Sequence, residues 1–261
     1  MPYVKNGDIN IYYEVEGQGP PLMLAHSFRR NLDRWRQTGF TDALKNDYRL
    51  ILFDARGHGK SDKPHDPTAY GIKMVEDVVA VLDDLRINRT NFFGYSMGAG
   101  VGFKAAVSHY GRFTSFILGG FNPYPTKVPG NTTPADESKQ ISILPADPEV
   151  FLRLVEQHLG RPLTPDERKA ELANDFEALS ACTVTWREIT TLTNHDLSRI
   201  SVPCLLYAGD LDPVYAGAKE ASSHIPGAKF FSLPGLNHAQ AGPDLQVILH
   251  VKEFLARITK A

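Results

Sequence analysis

Cysteine is scarce. Cys182 and Cys204, the only two in 261 residues, sit in unrelated segments, so neither a disulfide framework nor a thiolate metal site is implied. A reducing, cytoplasmic setting is the expectation that follows. Charge of one sign is lacking too: 28 Lys and Arg stand against 30 Asp and Glu, a net charge of −2 with no basic cluster. That balance gives no electrostatic case for nucleic acid or an anionic membrane surface. No apolar run approaches the ~20 residues needed to cross a bilayer. The first residues enter strand-like sequence at once, Tyr3-Val4 and then 9–15, so a charged-then-apolar export signal is not expected. There is no H-E-x-x-H, no paired C-x-x-C and no carboxylate cluster with ligand spacing, and the glycines make no dinucleotide fingerprint. Neither metal nor cofactor is therefore expected, and the partner that remains is a small-molecule substrate.

What is present reads as one large α/β domain, with hydrophobic content of 42% and charged content of 22%. Residues 9–16 have the aromatic and β-branched content of a strand. Short apolar runs at 22–26, 50–53, 92–93, 116–118, 205–208 and 230–233 are of the kind found in strands covered on both faces. Helical stretches fall between them. Ile72, Val75, Val79 and Leu82 form a stripe behind a Gly71 cap, and Leu245, Ile248, Leu249 and Phe254 repeat the pattern over 244–258. Alternation of this sort predicts a mostly parallel sheet with helices on both faces. Residues 121–199 break the rhythm: they hold no convincing strand but several helix starts. Asp147-Pro148-Glu149 sets a capping acid before a first-turn proline, and Thr164-Pro165-Asp166-Glu167 is a capping box. Phe151, Leu154, Val155 and Leu159 give the first of these helices an apolar face, and the Pro/Gly/Thr-rich stretch 122–134 reads as a hinge. The expected division is a core of 1–120 and 200–261 with a helical cap of 121–199 inserted after the sixth strand.

Gly94-Tyr95-Ser96-Met97-Gly98 is a G-x-S-x-G pentapeptide between an apolar run and a small-residue helical run. Alone the pattern is weak; in a strand–turn–helix setting it places a serine hydroxyl on a sharp, strained turn at the carboxyl end of a strand. A serine hydroxyl is a poor nucleophile and needs a base within hydrogen-bond reach, itself oriented by an acid. Nine histidines compete for the part. His238 lies between the last apolar strand and the final helix; His26 and His58 also fall on carboxyl-edge loops. For the acid, the run after 205–208 offers Asp212, followed by a turn-setting proline, with Asp210 as the fallback. The order Ser96, Asp212, His238, each after a separate strand, is that of the nucleophile-elbow enzymes. An oxyanion would be held by the N–H of Met97 at the helix start and by the N–H of Phe28 on the loop His26-Ser27-Phe28-Arg29. Phe28, Tyr95 and Met97 adjoin the reacting atoms and are the expected substrate-binding residues, ahead of the more distant aromatics Phe121, Tyr124 and Trp186. Arg29 and Arg30 read as an exposed basic pair, and Arg56 and His58 as structural members of a glycine-rich loop.

These motifs together resemble the α/β-hydrolases of the capped, cofactor-independent kind: carboxylesterases, enol-lactonases, haloperoxidase-like enzymes and meta-cleavage C–C hydrolases. The likeness runs nearly end to end, through the His26 loop, Asp54-Ala55-Arg56-Gly57-His58-Gly59-Lys60-Ser61-Asp62, the elbow, Asp212-Pro213 and Asn237-His238. It implies an eight-stranded sheet, a helical cap, and a serine hydrolase for a small ester, thioester or lactone. C–C bond hydrolysis or perhydrolysis, and ligand sensing on a hydrolase scaffold, are the alternatives. Ser27 stands where such enzymes usually carry glycine. Ala239 stands where C–C hydrolases often carry tryptophan, which disfavours that chemistry. Serine at the elbow argues against the dehalogenase and epoxide-hydrolase branches, which use aspartate.

Overall fold

The computed structural model describes residues 3–125 and 147–258. In chain order these form β1 (Tyr3–Asn6), β2 (Ile9–Glu16), β3 (Pro21–Ala25), α1 (Asp33–Gln37), α2 (Phe40–Leu44), β4 (Arg49–Phe53), α3 (Lys73–Asp84), β5 (Thr90–Tyr95), α4 (Met97–Ser108) and β6 (Phe113–Gly119). Helices α5 (Pro148–Leu159), α6 (Pro165–Leu172), α7 (Phe176–Val184), α8 (Trp186–Thr190) and α9 (Asn194–Ser198) come next. The chain then returns to the sheet through β7 (Cys204–Gly209), α10 (Tyr215–His224), β8 (Lys229–Leu233), α11 (His238–Ala241) and α12 (Leu245–Ile258). From residue 126 the expected hinge at 122–134 lies outside the described residues.

The strands make one sheet in the order β1-β2-β4-β3-β5-β6-β7-β8. β2 is antiparallel to both its neighbours and the other pairings are parallel. β3 takes β4 on one side and β5 on the other, so the winding reverses there. A crevice opens beyond the carboxyl ends of strands at such a reversal, the usual ligand position in this architecture. Strand periodicity of two sends alternate residues to opposite faces. Met23, Phe92, Phe116 and Leu118 thus join a core with α3 and α4, while Leu22, Leu24, Phe93 and Ile117 join a second core with α1, α2 and α12.

Several helical faces differ from the expected ones. α3 buries Met74, Val75, Val78, Val81 and Leu82, with Val79 only half-buried. Its cap is Ile72, and Gly71 lies one residue earlier at φ +66°. A Cβ on Gly71 would fall 1.9 Å from the Glu188 carboxylate, which accepts the Ile72 N–H at 3.2 Å, so α8 sets where α3 begins. In α12 the docked residues are Val247, Val251, Phe254 and Leu255, whereas Leu245 and Leu249 are 72% and 64% exposed. Both stripes have helical spacing, and the side facing Tyr207 and Leu233 is the one the sheet covers. In α5, Leu154 faces outward and Leu152 replaces it in a small separate cluster with Phe151, Val155 and Phe176. The expected caps are present: Asp147 accepts the Glu149 N–H at 2.8 Å, and Thr164 and Glu167 exchange bonds at 3.2 and 2.9 Å.

The loop after β4 is a buried polar scaffold. Asp54 accepts the backbone N–H groups of Leu32 and Lys60, both at 2.7 Å, which ties the loops after β3 and β4 together. Arg56 forks onto Asp77 of α3, Nε to Oδ2 at 2.6 Å and Nη2 to Oδ1 at 2.5 Å, and Asn6 adds a bond to the same carboxylate at 2.9 Å. Removing one partner leaves a buried charge uncompensated. Arg56→Ala is accordingly expected to lower unfolding free energy by roughly 3–5 kcal/mol, measured by urea denaturation. His58 is fully buried and donates Nδ1–H to the Arg56 carbonyl at 3.0 Å; burial, with the nearby His26 adding to it, pushes its imidazole down to about 3. Below pH ~6.5 the unfolded chain binds a proton at this histidine that the folded chain refuses. Stability is then complete above that pH and falls toward pH 3, by up to about 1.4 kcal/mol per pH unit for this group. His58→Asn is expected to flatten the fall; an unchanged slope of urea stability between pH 6.5 and 4.5 would contradict the assignment.

Candidate active site

β5 ends in Tyr95 and α4 begins at Met97, so the chain must turn from strand to helix within the single residue Ser96. It does so at φ +53°, ψ −116°, a left-handed backbone that L residues avoid and that costs about 1–3 kcal/mol. Small neighbours permit the turn. A Cβ on Gly94 would lie 2.3 Å from the Gly98 carbonyl oxygen, and one on Gly98 would lie 2.1 Å from that of Ala25. The backbone is pinned by Ser96 N–H to the Gly119 carbonyl at 2.8 Å and by Gly100 N–H to the Ser96 carbonyl at 3.0 Å.

Three side chains meet at this turn. His238 Nε2 lies 3.0 Å from Ser96 Oγ, and its Nδ1 lies 2.7 Å from Asp212 Oδ2. With the carboxylate accepting at Nδ1–H, Nε2 is the acceptor that faces the serine hydroxyl. His238 is not on an open loop; it opens the one-turn helix α11, whose Asn237 and Gln240 form a reciprocal capping box at 3.1 Å each way. Tyr95 holds the same residue from below by donating its hydroxyl to the His238 carbonyl at 2.5 Å. Asp212 is buried and fixed in its turn: its second carboxylate oxygen accepts the Val214 N–H at 3.0 Å. Asp210 is exposed and points elsewhere, accepting the Gly235 N–H at 2.7 Å, so it shapes the loop leading to His238 without touching the imidazole. His26 is committed as well. Its Nε2 accepts the Ala55 N–H at 3.0 Å, and burial lowers its proton affinity.

Met97 N–H is the first of α4 and has no partner inside the helix. Ser27 to Arg30 form a turn closed by Arg30 N–H to the Ser27 carbonyl at 3.1 Å, with Arg29 at φ +65°. Phe28 rides on that turn, its ring edge-on to His58 at 5.5 Å and to Trp186 at 6.2 Å. A cavity of about 1180 Å3 opens over Ser96 and His238, walled by Phe28 and Tyr95 on the sheet side and by Leu159, Leu163 and Ala170 on the helical side. Met97 is not among the lining residues; its side chain is 1% exposed in the core, which corrects the expectation that it meets substrate and leaves its N–H as what it offers. Phe121, Tyr124 and Trp186 likewise pack on the core and do not line the cavity.

The arginines after the turn also differ from expectation. Arg29 and Arg30 are not an exposed pair: both bind the buried Glu171 of α6, at 3.1 and 2.7 Å, and so tie the loop after β3 to the helical segment. Glu171 lies 141 residues from Arg30, and nothing in its local sequence announces the contact. Among the described residues no group of three His, Cys, Asp or Glu side chains is placed to hold a metal, and no helix is long and apolar enough to cross a membrane.

Comparison with known proteins agrees with this geometry. The alpha/beta hydrolase fold family matches residues 20–240. A hydrolase structure from Pseudomonas aeruginosa PA01 superposes with a TM-score of 0.80 at 26% identity, covering 97% of each chain. A Synechocystis protein named as a candidate non-heme chloroperoxidase is 28% identical over 92% of this chain and 94% of its own. The 3-oxoadipate enol-lactonase 2 of Acinetobacter baylyi is 28% identical over 79% of this chain and 78% of its own. On the strength of the match across most of its length, and of the eight-stranded sheet that underlies it, this chain belongs to the alpha/beta hydrolase fold family.

Proposed function

We propose that this protein is a serine hydrolase that cleaves a small carboxylic ester, thioester or lactone through an acyl-enzyme on Ser96. The observation that carries the reading is the position of His238, with one ring nitrogen on Ser96 and the other on Asp212. Ser96 Oγ attacks the carbonyl carbon while His238 Nε2 takes its proton, and Asp212 stabilises the resulting imidazolium. The carbonyl electron pair moves onto oxygen, held by the N–H groups of Met97 and Phe28. Collapse expels the alkoxide or thiolate, which receives the proton from Nε2; in a lactone the leaving oxygen stays tethered to the acyl chain. Water then gives a proton to Nε2 and attacks the acyl carbon, and the proton returns to Ser96 as the acid departs. The helical segment α5–α9 acts as the cap, and its α5 and α6 with the residues next to them supply the far wall of the cavity. The enol-lactonase among the relatives supports an ester or lactone substrate.

Two measurements test the roles. Ser96→Ala is expected to abolish both fluorophosphonate labelling and the burst with 4-nitrophenyl acetate while the fold persists; undiminished turnover would remove Ser96 as nucleophile. Asp212→Asn is expected to lower kcat/KM by roughly 10⁴-fold, as loss of the orienting carboxylate does in serine triads. Asp210→Asn, which touches only the Gly235 turn, should cost less than about tenfold, because a neutral amide still accepts that N–H. Equal losses in steady-state assays of the two variants would make the acid assignment wrong.

A further inference from the structure

The cavity wall is more basic than the protein around it. The whole chain carries a net charge of −2, yet arginine and lysine outnumber aspartate and glutamate among the residues that line the cavity. Most of these cations are already satisfied. Arg29 and Arg30 share Glu171; Arg161 forks onto Glu167 at 2.8 and 2.7 Å; Lys63 donates to the Gly59 and Ser61 carbonyls at 2.6 and 3.0 Å. Lys60 lies by the Tyr12 hydroxyl at 3.2 Å and near Glu14. Arg34 differs from all of them. It is half-buried, lines the same cavity as Ser96 and His238, and among the described residues its guanidinium makes no hydrogen bond or ion pair.

Its position follows from α1. Trp35 turns into the core and Arg36 binds Glu14, Glu16 and Asp33, which takes the carboxylate closest in sequence away from Arg34. Of the other lining carboxylates, Asp54 is spent on backbone N–H groups, Glu167 on Arg161, and Asp166 is exposed. Burial and the like charge of Arg30 disfavour the Arg34 cation more than the field of Glu167, itself bonded to Arg161, favours it, and the Arg34 charge reaches the Tyr95 phenol, next in the chain to Ser96. A guanidinium left half-desolvated beside a reactive serine is a site for an anion, and its planar fork matches a carboxylate.

We propose that Arg34 binds a carboxylate carried by the substrate, so that the molecules cleaved are esters or lactones of a dicarboxylic acid with one acid group free. The proposal rests on the hydrolase reading for its chemistry, but the anion site is testable without turnover. One free guanidinium meets one negative charge, which favours a carboxylate over a doubly charged phosphate.

The test pairs 4-nitrophenyl hydrogen glutarate with the neutral 4-nitrophenyl pentanoate. In Arg34→Met the ratio of kcat/KM for the anionic to the neutral ester is expected to fall about 10–100-fold, chiefly through KM, with partial recovery in Arg34→Lys. A ratio unchanged by Arg34→Met overturns the proposal, because a merely structural role would lower both esters alike. Calorimetric binding of glutarate to Ser96→Ala, expected to vanish when Arg34→Met is added, reads the site directly. Glutarate binding that is absent, or indifferent to Arg34, sinks the anion site, as does tighter binding of inorganic phosphate. Arg34-dependent glutarate binding in a protein that turns over neither ester would leave the site standing and the hydrolase reading refuted.

Discussion

Ser96 occupies a backbone conformation that its own side chain disfavours, and the surrounding chain is arranged to keep it there. The strain is tolerated because β5 and α4 are each anchored independently, the strand between β3 and β6 and the helix by packing on the same core. Gly94 and Gly98 remove the two Cβ atoms that would otherwise strike backbone carbonyls. The product of that constraint is a hydroxyl aimed out of the sheet at the one place where the winding reverses. Without the turn, the imidazole of His238 and the carboxylate of Asp212 would have nothing to face.

The partner groups reach the turn by different routes, and each is secured by more than its own bond. Asp212 is buried in a tight loop after β7, and His238 is held by the cap of α11 and by the Tyr95 hydroxyl beneath it. Such support holds His238 within 3.0 Å of the Ser96 hydroxyl and 2.7 Å of the Asp212 carboxylate. On the other side of the crevice, Asp54 joins the loops after β3 and β4, and Glu171 ties Arg29 and Arg30 to α6. The loop that carries Phe28 is therefore positioned by the sheet and by the helical segment together.

Much of the architecture was legible in the chain. The strand runs, the long helix after Ser96 and both proline-capped helices between β6 and β7 fall where the pattern of apolar residues, glycines and capping acids puts them. The order of Ser96, Asp212 and His238 was readable because each lies just past a strand and must emerge on the same edge. Less legible were the docked faces of helices. α12 has enough apolar residues for two stripes, and Leu245 and Leu249 lost to Val247 and Val251 because the sheet lies on that side. Met97 was misread for a related reason: adjacency in sequence to Ser96 does not say on which side of a helix start the side chain points.

The sequence by itself determined the class of fold, the strained turn and the placement of Ser96, Asp212 and His238 just past separate strands, since these depend on local sterics and on residue chemistry. Only the tertiary structure decided which charges are neutralised. Arg29 and Arg30 read as an exposed pair and are bound to Glu171, whereas the Arg34 guanidinium at the cavity makes no ion pair among the described residues. The reason is that a counter-ion acts through a few ångströms of space, and Glu171, more than a hundred residues away along the chain, comes within that range only when α6 folds back over the loop after β3.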